Sequence, residues 1–149
     1  MVPARYMARI ADGVLAEALA VSGAVQVKGP KWCGKTATSL QQAASIVYLQ
    51  DPDRSASYLA LADAKPSALL EGRTPRLIDE WQMAPQLWDA VRFAVDIRGE
   101  PGQFILTGSS TPTVGGAHSG VGRIAPMVMR TMTLFESEDS SGRISLQRL

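Results

Sequence analysis

GPKWCGKT, residues 29–36, decides how this chain is read. Its glycines, lysine and threonine stand at the spacing G-x-x-x-x-G-K-[ST]. Taking roughly 7% glycine and roughly 6% for each of Lys, Ser and Thr, a chance match in a chain this long is about 0.5%, so the spacing counts as evidence. An apolar run, AVQV, precedes it, and residues 36–45 after it carry a helical pattern. Strand, glycine turn and helix in that order belong to an α/β layer.

Each part of the stretch has a physical use. Glycine permits backbone angles that turn successive N–H groups inward. A helix starting at Lys35 adds the positive end of its dipole. Together they make a phosphate cradle, expected to comprise Gly29, Pro30, Lys31, Trp32, Cys33, Gly34, Lys35 and Thr36. In it Lys35 would neutralise the β- and γ-phosphates, and the Thr36 hydroxyl would ligate Mg2+. The alternative is a glycine turn that joins strand to helix and binds nothing.

Outward from the cradle, helical and extended patterns alternate. Apolar positions Ile10, Val14, Leu15, Ala18 and Leu19 predict an amphipathic helix within 6–19, with Gly23 as its stop. Strands are expected at 25–27, 46–49, 76–81, 104–106 and 127–135. Helices are expected at 36–45, in one or two pieces across 57–70 and broken near Pro66, and from Pro85 to about Ile97. The Gly- and Ser-rich stretch 108–122 reads as a loop, and 137–149 as a loose tail. Right-handed crossovers make most of such a sheet parallel. One domain is expected: a helix at 4–22, a core at 23–136 and the tail.

A phosphate cradle of this kind needs an acid at the tip of a neighbouring strand. RLIDE, 76–80, supplies Asp79 for the Mg2+ shell and Glu80 as the base that polarises an attacking water. Neighbouring side chains on a strand point to opposite faces, so both reach one site only where the strand ends. The competing reading is a solvated strand end. A polar residue at the tip of FILTGSS would sense the γ-phosphate. Ser109 or Ser110 fits better than Thr107, which can still lie within the strand.

YMARIAD, GPKWCGKT, LIDEWQ, ILTGSS, GVGRI and MRTMTLFE occur in the order seen in bacterial AAA+-like ATPases that carry a C-terminal DUF4143 domain. The chain resembles the N-terminal ATPase core of that family over nearly its whole length. The resemblance implies a RecA/AAA+-like P-loop three-layer sandwich with strand order 5-1-4-3-2, and ATP as the ligand. It implies that Arg123, in GVGRI, can serve as an arginine finger acting in trans, which requires a homo-oligomer; the competing and favoured reading is a solvated arginine beside a glycine loop. Family members continue through a winged-helix segment and the DUF4143 region. A lid over the nucleotide, and any arginine on it, are therefore expected to be absent from these 149 residues.

Composition bounds the rest. With 149 residues and 46% hydrophobic content, the chain can bury one sizeable core. A net charge of +1 offers no basic excess for strong nucleic-acid binding by this core. No apolar run approaches a membrane span, and residues 1–12 lack the apolar heart of a secretory signal. The single cysteine, Cys33, excludes an intramolecular disulfide, and His118 alone cannot build a zinc site. These features favour the cytosol. Trp81 and Trp88 read as packing residues. The resemblance allows Tyr6, Arg9 and Asp12 to lie near the adenine, because the first helix of that fold class often borders the base, but a place away from the base is the leading alternative. Two functions compete with an Mg2+-dependent ATPase. One is a small-molecule kinase, which the arginine-poor loop after the fourth strand disfavours. The other is a non-catalytic interaction module shaped by bound nucleotide.

Overall fold

A computed structural model describes residues 5–109, 121–144 and 147. Period-2 alternation along its strands sorts side chains to two faces of one sheet. Strands β1 (Ala24–Lys28), β2 (Ser45–Tyr48), β3 (Arg76–Asp79), β4 (Phe104–Gly108) and β5 (Ile124–Val128) all pair in parallel. Their order is β2-β3-β4-β1-β5, the expected 5-1-4-3-2 seen from the other edge. Val25, Val27, Leu77 and Ile105 pack on one face with Leu15 and Leu19 of α1 (Ile10–Val21). The helix after the cradle, α2 (Lys35–Leu40), leaves β1 towards the same layer. Ala24, Val47, Ile78, Phe104 and Leu106 face the other way. They pack against α3 (Ser55–Ala64), a 3-10 turn over Pro66–Leu70 and α4 (Leu87–Arg98). The result is the three-layer α/β sandwich that the sequence implied.

Three element bounds differ from expectation. The first helix begins at Ile10 rather than near Tyr6, because Asp12 Oδ2 accepts the Arg9 N–H at 2.8 Å and caps it there. Arg9, just before it, is extended. α2 stops at Leu40 instead of running to 45, since the chain must turn through 41–44 to enter β2. The fifth strand was expected at 127–135 and lies at Ile124–Val128. The apolar pattern favoured the later stretch, yet pairing with β1 runs from Ala24↔Ile124 to Lys28↔Val128.

Proline in the middle of β5 has a geometric reason. Ala24 N–H bonds to Arg123 O, and Met129 N–H to Lys28 O. Odd-numbered residues of that stretch therefore bond towards β1, and even-numbered ones face away from it. Pro126 sits where β1 asks for no N–H, on the open edge of the sheet. An edge lacking its central donor is also a poor template for another strand. Among the described residues, no helix is long and apolar enough to cross a membrane.

Candidate functional site

The cradle lies at the carboxyl end of β1, which is flanked by β4 and β5. Successive crossovers diverge there, and that is where open α/β sheets hold ligands. Gly29 is required by close approach: a Cβ would stand 2.3 Å from Met129 O and 2.9 Å from Cys33 Sγ. Gly34 is required by conformation, with φ +95 as it enters α2. Trp32 also has positive φ, and its side chain is fully exposed. Cys33 is buried. Because α2 is only six residues long, its dipole is short, and the local N–H groups dominate the field of the cradle.

Lys35 is buried behind the loop, and its Nζ donates to Gly29 O at 2.8 Å and Pro30 O at 2.7 Å. An ammonium held by two neutral carbonyls can exchange them for anionic oxygens at a gain. A cleft of about 560 Å³ opens beside it, lined by Lys31, Trp32, Gly34, Lys35, Thr36, Gln50, Glu80 and Ser109. That is within the usual size range of a small-ligand site.

Asp79 and Thr107 lie opposite one another in the β3–β4 register, two residues beyond the inward-facing Leu77 and Ile105. They therefore share the α2 face of the sheet. Thr107 donates to Asp79 Oδ1 at 2.7 Å, and Thr36 donates to the same oxygen at 2.6 Å. Gln50 Nε2 lies 3.4 Å from Oδ2, and Asp79 is only 1% exposed. A buried carboxylate of this kind persists only because donors surround it.

Glu80 leaves the strand in the left-handed region, φ 58 and ψ 45. This resolves the geometric conflict between neighbouring acids. The kink turns Glu80 to the cleft although Asp79 points to the α2 face. Its carboxylate accepts from Gln82 Nε2 and lies 3.3 and 3.4 Å from Ser109 Oγ. Two polar atoms close to Gly108, Gln82 Oε1 and Trp81 Nε1, have no partner among the described residues. Trp81 is buried, with its ring 5.1 Å from that of Trp88.

The donor set fits Mg2+. Among the described residues, no group of three or more His, Cys, Asp or Glu could hold a metal. Mg2+ needs no such group, because it keeps waters and substrate phosphates and takes one or two protein oxygens. The touching Thr36 hydroxyl and Asp79 carboxylate are oxygens of that kind.

Other sequence candidates lie elsewhere. Arg123 precedes β5, at the amino end of the sheet, and its Nε donates to Asp96 Oδ1 at 2.8 Å. It does not enter the cleft of its own chain. Ser110 and His118 lie outside the described residues. Tyr6, Arg9 and Asp12 form a strap behind the loop. Tyr6 OH donates to Asp12 and touches Thr38 Oγ1 of α2 at 3.0 Å. Burial, and then the bond to Asp12, push the Tyr6 phenol up to about 12. The Arg9 guanidinium donates to Glu136, to Cys33 O and to Arg130 O, so each of its three nitrogens is engaged by a protein atom. Thr107, ranked below the serines from sequence, is the residue that meets Asp79. Period-2 counting from Ile105 would have found it. Gln50 carried no motif signal, and Gln82 and Glu136 close the stretches LIDEWQ and MRTMTLFE without a role that sequence reasoning could assign.

A search of curated proteins gave no match. A family model described as AAA domain matches residues 22–138, from just before β1 to just beyond Glu136. The match spans every strand and the whole cleft, so this chain belongs to the AAA domain family, whose P-loop core binds nucleotide.

Proposed function

We propose that this domain binds ATP with Mg2+ and hydrolyses it when the assembly around the cleft is complete. The observation that carries this is that Lys35, Thr36 and Glu80 line one cleft while Thr36 donates to the buried Asp79 at 2.6 Å. Lys35 releases the carbonyls of Gly29 and Pro30 and takes the β- and γ-phosphates. Backbone N–H groups of the 29–36 loop hold the remaining oxygens. Thr36 and Asp79 hold the metal shell, and Mg2+, when bound, neutralises charge on the phosphates. Glu80 accepts a proton from the attacking water, and Ser109, beside it, reads the γ-phosphate. Arg123 would act only on a neighbour's nucleotide in a homo-oligomer.

Titration calorimetry with Mg·ATP on the wild type and Lys35→Ala tests the binding step. Loss of binding in Lys35→Ala, by at least about a hundredfold, is expected from removing a charge-assisted phosphate contact. Absence of binding by the wild type would overturn the assignment. Phosphate release, with Glu80→Gln as control, then separates a hydrolase from a passive binder. Release that survives Glu80→Gln would remove Glu80 from its role.

A further inference from the structure

We propose that Arg9, locked by Glu136, is a positioning residue that aims the Gly34 N–H into the phosphate cradle. The inference rests on the nucleotide assignment above and assigns it two residues 127 positions apart. Arg9 Nη1 donates to the Cys33 carbonyl at 2.7 Å. The Cys33 carbonyl and the Gly34 N–H belong to one planar trans peptide, and in such a unit they point in opposite directions. Gly34 lines the cleft, whereas Arg9 lines a separate pocket with Met129 and Arg130 that shares no residue with the cleft. A grip on the carbonyl from behind therefore fixes the N–H towards the front.

The grip is itself rigid. Arg9 Nε donates to Glu136 Oε1 at 3.0 Å and Nη2 to Arg130 O at 3.0 Å, so the guanidinium plane is held at three points. The two side chains are 6% and 5% exposed. Glu136 also accepts from Ile10 N–H at 2.8 Å, Thr133 N–H at 2.7 Å and Thr133 Oγ1 at 2.9 Å. The Thr133 backbone bond is the largest influence holding its carboxyl down at about 2, so it stays ionised. Gly34 completes the fit, since a Cβ there would lie 3.0 Å from Arg9 Nη1. Lysine keeps the charge but has a single nitrogen and cannot span the three acceptors.

The test uses Arg9→Lys and Glu136→Gln in the full chain, with folding checked by circular dichroism. Two readouts are taken: the Gly34 amide resonance by 15N–1H NMR without ligand, and affinity for Mg·ATP and for inorganic tripolyphosphate. We expect the Gly34 amide to move in both variants. Both polyphosphate ligands should bind about tenfold more weakly, as for one lost hydrogen bond to a charged group. A general loss of stability would lower the melting temperature without singling out the Gly34 amide. An unmoved Gly34 amide, or affinities within twofold of the wild type, would overturn the proposal. If Arg9→Lys fails to fold, Glu136→Gln decides alone. If the wild type binds no polyphosphate, the nucleotide assignment fails, while the ligand-free spectrum still reports whether Arg9 sets this peptide.

Discussion

Two arginine–carboxylate pairs sit at opposite ends of the sheet. Arg9–Glu136 and Arg123–Asp96 have nearly equal lengths, 3.0 and 2.8 Å, but very different surroundings. The first pair is nearly sealed from water, and every remaining bond is made to backbone or to Thr133. In the second, both side chains are 42% exposed. Distance alone would rank them equal. Burial makes one a structural lock at the carboxyl end of the strands and leaves the other a solvated contact at the amino end.

The sharpest way to break this comparison is Arg9→Ala. It removes the cation from a nearly buried carboxylate that keeps its bonds to Ile10 and Thr133, and denaturant unfolding should show a loss of about 1.5–3 kcal/mol. A loss under about 1 kcal/mol would mean that the two pairs are alike after all. Acid titration sharpens the same contrast. Glu136 titrates near 2 when folded and near 4.5 in an unfolded chain. Its contribution is thus fully present above about 4.5 and is lost as pH falls towards 2. Between those values the wild type should lose stability more steeply than Glu136→Gln, as followed by melting temperature against pH; equal slopes would remove the lock.

A smaller effect is expected at Thr107→Val, which removes one of the donors to buried Asp79. The variant should cost about 1–2 kcal/mol and weaken the Mg2+ dependence of ATP binding, measured by calorimetry with and without the metal. Unchanged stability would show that Thr36 and Gln50 suffice. The smallest effect belongs to Arg123→Ala. Its melting temperature should match the wild type within error, and nucleotide affinity of the isolated chain should not change. A clear drop in either would place Arg123 in its own chain's fold or site.

The cradle was legible because its chemistry is local. Gly29, Gly34, Lys35 and Thr36 must follow one another at fixed spacing, so the pattern survives in one dimension. Asp79 was legible for a related reason, as an acid at the end of an apolar strand. The left-handed kink at Glu80 was not, since nothing in LIDEW requires it. The fifth strand was misplaced because apolar residues at 127–135 outweighed Pro126 in a local count, while register against β1 chose 124–128.

The phosphate loop and its likeness to an ATPase core were thus carried in short runs of neighbouring residues, and strand order was implied only by that likeness. Three things depended on the folded chain. The meeting of Thr107 with Asp79 needed the β3–β4 register. The removal of Arg123 from the cleft needed the direction of β5. The junction of Arg9, Cys33 and Glu136 needed both ends of the chain to reach the back of one loop. A hydrogen bond across more than a hundred residues leaves no periodicity to count, and only packing brings its partners within 3 Å.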